Sequence, residues 1–78
     1  VNNVALALME ANRTDEAIRL LENAPAEGEL LNMKGVAYAK AGQYDKASQA
    51  FSEAQAKGYS QAGENLTLLK QYVEYMAE

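Results

Sequence analysis

The chain has 78 residues, a formal net charge of −4, and neither cysteine nor histidine. Its length allows one small domain. Its seven basic residues are scattered singly and do not form the positively charged cluster that binds nucleic acids or anionic membranes. The lack of cysteine excludes disulfides and thiolate metal sites, and the lack of histidine excludes Ser-His and Cys-His catalytic pairs.

The sequence is rich in alanine and has a single proline, which favours helix almost throughout. No segment alternates apolar and polar residues with the period of two that is typical of a strand. Five helices are therefore predicted, separated by short turns. Their approximate limits, in chain order, are Asn3–Ala11, Asp15–Asn23, Glu29–Ala41, Tyr44–Lys57 and Gln61–Ala77.

The first two pairs of helices match each other at an offset of 30 residues. The segment Asn12–Ala17 aligns with Gly42–Ala47, and the match continues on both sides, with Leu21 opposite Phe51. A period of this size predicts a stack of helical repeats, in which each unit buries its apolar face only against its neighbours. Such stacks usually bind other chains and rarely catalyse reactions.

Three turns are predicted to contain a residue with positive φ. Gly42 and Gly58 follow apolar helical stretches, and Asn12 takes the place of Gly42 in the first repeat. Glycine and asparagine are the residues that best tolerate the left-handed conformation at the end of a helix. Shared chemistry at Asn12 and Gly42 thus supports the alignment.

Small residues at repeated positions predict close packing between helices. Ala17 and Ala47 occupy matching places in the second and fourth helices, and Ala5 and Gly35 do so in the first and third. On the fifth helix, one apolar stripe with helical spacing is expected to pack on the fourth helix. The stripe consists of Ala62, Leu66, Leu69, Val73 and Met76.

The second repeat resembles a tetratricopeptide repeat. The residues that carry the resemblance are Leu31, Gly35, Tyr38, Gly42, Tyr44, Ala47, Phe51 and Ala54. Residues 4–24 resemble a degenerate copy of the same unit, although the offset of 30 is shorter than the usual period of about 34. The stretch 54–66, in which Ala54, Gly58, Ala62 and Leu66 step by four, resembles the related Sel-one-like repeats.

The resemblance implies an all-α fold, a right-handed stack of antiparallel helix-turn-helix repeats with about five helices. Residues 1–78 would form one domain, with a degenerate repeat at about 3–27, a well-matched repeat at about 28–58 and a C-terminal helix at about 60–77. The resemblance also implies a concave face lined by the first, third and fifth helices. Members of the family typically hold a peptide or a partner helix there.

Two apolar stripes, with polar residues at their border, are expected on this concave face. The candidate partner-binding residues are Leu6, Met9, Asn32, Val36, Lys40, Leu68, Tyr72 and Tyr75. An apolar patch with tyrosines at its centre is typical of a binding surface. The alternative is that these side chains only cover the ends of a short stack, and that an upstream repeat covers Leu6 and Met9.

No catalytic residue, cofactor or metal site is predicted. The carboxylates of Asp15 and Glu16 fit the electrostatics of a helix start, and no convergent acidic loop is present for a cation. Gly28 and Gly35 are not followed by the Lys-Ser/Thr pair of a phosphate loop. The chain is therefore not expected to be an enzyme.

The sequence predicts a protein-interaction module that binds a protein or peptide. The main alternative is a structural spacer or an oligomerisation element, which would associate with another copy of the chain or contact flanking domains. A more distant alternative is an accessory domain of an enzyme. Because the chain begins with Val1 and its first helix is apolar almost all round, we expect a piece of a longer, bacterial-looking protein. No apolar run approaches the length of a membrane span, and nothing in the sequence fixes the compartment.

Overall fold

A computed structural model describes residues 2–77, with side chains from Val4 onward. All five predicted helices are confirmed to within one residue at each end, and residues 2–77 contain no strand. The predicted domain limits at residues 1 and 78 lie outside the described residues. The helices are α1 (Asn2–Glu10), α2 (Thr14–Glu22), α3 (Gly28–Lys40), α4 (Tyr44–Ala56) and α5 (Ser60–Ala77).

The three predicted turn residues all have positive φ, at 62° for Asn12, 79° for Gly42 and 90° for Gly58. In each turn, the next residue donates its backbone N–H to the carbonyl five residues earlier, which is the bond of a Schellman motif. The N···O distances are 2.7 Å for Arg13 to Leu8, 2.9 Å for Gln43 to Tyr38 and 3.1 Å for Tyr59 to Ala54. The shared geometry confirms that Asn12 and Gly42 occupy equivalent places.

Short turns fold consecutive helices back on each other into hairpins, and each helix packs on its neighbours in sequence. α1 also contacts α3, and α3 contacts α5, so that the odd-numbered helices form one layer of the stack. The main core lies between the layers and includes Ala17, Ile18, Leu21, Tyr38, Ala47, Ala50, Phe51 and Leu69. This packing confirms the predicted all-α, tetratricopeptide-like stack.

Small residues set the distance between the helices of a hairpin, as predicted. Ala5, Ala17 and Ala47 are completely buried. A Cβ atom on Gly35 would lie 2.5 Å from Cδ1 and Cε1 of the Phe51 ring, so α3 and α4 approach closely only because this position has no side chain.

The prediction for the apolar stripe of α5 was wrong at its C-terminal end. Ala62 and Leu69 are buried, but Val73 is 38% exposed and Met76 is 47% exposed. The reason is length: α5 has 18 residues, whereas its partner α4 has 13. Tyr44 at the start of α4 lies beside Tyr72, so the last turn of α5 extends past the end of α4.

Candidate functional site

α3 and α5 run in the same direction along one face of the stack. Near their N-terminal ends, Asn65 Nδ2 donates a hydrogen bond of 2.9 Å to Asn32 Oδ1. Near their C-terminal ends, Lys40 and Tyr72 border the same cleft. The hydrogen bond and the shared cleft lie seven or eight residues apart on each helix, so α3 and α5 run parallel to each other.

An open cleft of about 450 Å³ lies between these two helices, with α4 beneath it. Its size falls within the range of ligand sites, and its floor is apolar. The cleft is lined by Val36, Ala39 and Lys40 of α3, Tyr44 and Phe51 of α4, and Asn65, Leu69 and Tyr72 of α5.

Two tyrosine rings form one wall of the cleft. Tyr44 and Tyr72 meet edge to face, with their ring centroids 5.8 Å apart and their planes at 63°. This arrangement is favourable for aromatic pairs. The neighbouring Tyr72 hydroxyl, followed by burial, raises the pKa of the Tyr44 hydroxyl. A neutral tyrosine hydroxyl can act as both donor and acceptor.

Four of the eight candidate binding residues meet at this cleft. Val36, Lys40 and Tyr72 line it, and Asn32 is tied to its lining through the hydrogen bond with Asn65. Tyr72 is 49% exposed, so half of its surface is available to a ligand.

The other four candidates lie elsewhere. Leu6 is exposed on α1, and Leu68 and Tyr75 are exposed on α5, but none of them lines the cleft. Met9 was expected to project toward the groove, and that expectation was wrong. Met9 is only 4% exposed and belongs to the main core, because α1 turns this side chain toward α2 and α3.

Five lining residues are not among the candidates: Ala39, Phe51 and Leu69 are apolar or belong to the core, and Tyr44 and Asn65 carry polar groups. Tyr44 was assigned only to the repeat pattern, and its position beside Tyr72 depends on where α4 begins relative to α5. Asn65 carried a usable signal, because it precedes Tyr72 by seven residues, or two helical turns, and thus shares its face.

A second, smaller cleft of about 270 Å³ shares Tyr44 and Leu69 with the first. It runs between the start of α4 and the C-terminal half of α5, beside the exposed side chain of Val73. Its lining also includes Asp45, Ser48, Lys70 and Glu74. Its lining carries two acidic side chains, Asp45 and Glu74, and one basic side chain, Lys70.

Neither cleft contains a group of metal-ligating residues. Within the described part of the chain, no three acidic side chains come together where they could hold a metal ion. No helix in residues 2–77 is both long enough and apolar enough to cross a membrane.

Comparison with known proteins gives one match. The sequence profile of the tetratricopeptide repeat family matches residues 8–71, from the last turn of α1 through α2, α3 and α4 to the middle of α5. No curated protein and no solved structure matches the chain. The Sel-one-like character of residues 54–66 has no support in these comparisons and stays a prediction.

Proposed function

The chain belongs to the tetratricopeptide repeat family, and from this premise we propose that it binds a segment of a partner protein in the concave groove formed by α1, α3 and α5. Repeats of this family generally mediate protein–protein interactions and are non-catalytic. The absence of histidine and cysteine from the sequence agrees with a binding role.

The observation that carries the proposal is the open cleft between α3 and α5. Its floor, which includes Val36, Phe51 and Leu69, is apolar, and the half-exposed ring of Tyr72 forms part of its wall. An aromatic side chain beside an apolar pocket is a frequent centre of binding energy in protein interfaces. Asn65 and Lys40 add polar groups that can orient a ligand.

The test is selection of peptides from a random displayed library on the chain, followed by titration of the best binder into ¹⁵N-labelled protein. We expect the largest chemical-shift changes at the backbone amides of Val36, Asn65 and Tyr72. Changes centred on the opposite layer, for example at Gln49 and Glu53 of α4, would place the binding surface elsewhere. Selection that yields no binder would count against a peptide-binding role.

The C-terminal end of α5 supports a second candidate function, a structural contact with another copy of the chain or with a flanking domain. Tyr75 is 75% exposed, Met76 is 47% exposed and Val73 is 38% exposed, and all three lie near the C-terminal end of α5. Large apolar side chains grouped in this way often mark an interface.

Sedimentation across a wide concentration range tests this second candidate. If the end of α5 joins two copies, the chain should dimerise and Met76→Gln should weaken the dimer, while Gln71→Ala on the same helix should not. A chain that stays monomeric at the highest concentration does not self-associate through α5, and only a flanking domain would then remain as the partner of this surface.

A further inference from the structure

We propose that the cleft between α3 and α5 binds an extended peptide with an aliphatic side chain and, two residues away, an acidic side chain. This inference rests on the proposed function, because it specifies the chemistry of the segment that the groove holds. The aliphatic side chain would contact Val36 and Leu69, and the carboxylate would meet Lys40 at the end of the cleft.

The charge of the cleft differs from that of the whole chain. Lys40 is the only charged residue among those that line the cleft, whereas the chain as a whole has a net charge of −4. Lys40 is exposed and makes no ion pair within the described residues. The cleft is therefore a positively charged site on an acidic protein, and its charge is complementary to that of an acidic ligand.

The spacing in the ligand follows from helix geometry. Val36 and Lys40 are four residues apart on α3, which corresponds to about 6 Å along the helix axis. In an extended peptide, side chains on the same face are two residues apart, or roughly 6.6 Å. When an aliphatic residue of the peptide contacts Val36, the peptide side chain two positions further along therefore lies beside Lys40. A residue one position away would point to the opposite side.

The amides at the other end of the cleft favour an extended ligand over a helical one. Asn65 Nδ2 is engaged by Asn32, but Asn65 Oδ1 has no hydrogen-bond partner within the described residues. An extended peptide has backbone N–H groups that such an acceptor can bind, whereas the N–H groups of a helix are already paired. About 12 Å separate the two ends of the cleft along α3, the length of three to four extended residues.

The probes are acetylated, amidated nonapeptides of glycine and serine with leucine at position 5. Each peptide carries one further residue, which is Glu, Gln or Lys. This residue stands at position 3 or 7 in the test peptides. In the control peptides it stands at position 4 or 6, where its side chain points to the opposite side from the leucine. Dissociation constants come from ¹⁵N chemical-shift titration at millimolar peptide. We expect Glu at position 3 or 7 to bind about two- to fivefold more tightly than Gln, with a loss of that difference at high salt.

Variants of Lys40 test whether the preference comes from this residue. Lys40→Gln should abolish the preference for Glu over Gln, and Lys40→Glu should reverse it toward Lys. Lys34→Gln removes the same charge from α3 but lies in a different cavity with Glu22 and Gln49, so it should leave the preference unchanged. The melting temperature of each variant confirms that it is folded.

Each outcome separates this inference from the proposed function. Peptides that bind in the cleft equally well with Glu, Gln or Lys would overturn the acidic preference but keep the groove as a binding site. An equal gain from Glu at position 4 or 6 would overturn the extended geometry. If no leucine peptide shifts any cleft resonance, while peptides selected from the random library bind elsewhere, both the inference and the groove function are wrong.

Discussion

The hydroxyl of Tyr38 donates a hydrogen bond of 2.7 Å to Oε2 of Glu22, and this contact ties the second hairpin to the first. Tyr38 is only 6% exposed, and Lys46 lies 5.7 Å from the centre of its ring. Burial and the neighbouring Glu22 carboxylate raise the pKa of Tyr38 to about 12. Because of this contact, the free energy of unfolding should vary with pH in the alkaline range.

We expect stability to fall as the pH rises from about 10 to about 12. Unfolded Tyr38 loses its proton near pH 10, whereas folded Tyr38 keeps it to about pH 12, so the folded state binds more protons in this window. The contribution is complete below pH 10 and lost above pH 12, with a size on the order of 2–3 kcal/mol. Urea unfolding at pH 8, 10 and 12 measures it.

Tyr38→Phe is the control, because it keeps the aromatic ring and removes the hydroxyl group that titrates. Other tyrosines and the lysines also titrate in this range, so the informative quantity is the difference between the two chains. The stability of the wild type should drop more steeply with pH than that of the variant. Parallel curves would show that Tyr38 titrates alike in the folded and unfolded states.

Gly35 and Gly63 form a matched pair for the packing between helices. A Cβ on Gly35 would strike the rigid ring of Phe51, whereas one on Gly63 would meet the Nε2 atom of Gln55 at 2.8 Å, the far end of a flexible side chain. Gly35→Ala should cost about 1–3 kcal/mol through overpacking. Gly63→Ala should gain about 0.5–1 kcal/mol from helix propensity.

Thermal melting distinguishes these two outcomes, since 1 kcal/mol shifts the midpoint by roughly 4–8 °C in a domain of this size. Both substitutions add the same methyl group inside a helix, so their difference reports the surroundings of each glycine. A Gly35→Ala chain that melts no lower than wild type would mean that α3 and α4 do not approach as closely as described.

Substitutions at the turn residues are predicted to change stability only through the backbone conformation of the turn. A Cβ on Gly42 would meet no atom within 4 Å, so any cost of Gly42→Ala comes from its φ of 79°. We expect a loss of about 1 kcal/mol. Asn12→Gly, at the equivalent turn with a φ of 62°, should be neutral or slightly stabilising. Chemical denaturation of both variants tests the pair, and equal losses would contradict the argument.

The fold was predictable because its signals are local and repeated. The match between Asn12 and Gly42 located the turns after α1 and α3, and Gly58 located the turn after α4. These turns fixed the adjoining helix ends to within one residue. The burial of Ala17 and Ala47 followed from the same alignment. Each of these predictions depends on residues near each other in sequence or on a comparison between repeats.

The site was only partly predictable because it depends on the contacts of whole helices. α1 is apolar almost all round, so its sequence does not say whether Leu6 or Met9 faces the core, and the structure buries Met9. The stripe on α5 has the correct period, but the period does not tell where α4 begins, and Met76 is exposed because α5 extends past the start of α4. The bond between Asn32 and Asn65 joins residues 33 positions apart and has no local signal.

The last prediction concerns Tyr72, which lines the cleft, and Tyr75, which does not. Tyr72→Ala removes a half-exposed ring whose one aromatic contact among the described residues is the edge of Tyr44, so unfolding should change by about 0.5–1 kcal/mol. If the ring anchors a ligand, the affinity for a peptide selected on the chain should fall by about 1–2 kcal/mol. Tyr75→Ala, the same change on the same helix, should leave that affinity within about twofold. Isothermal titration of both variants with one peptide makes the comparison. Equal losses would extend the binding surface to the end of α5, and no loss for Tyr72→Ala would exclude the cleft as the binding site.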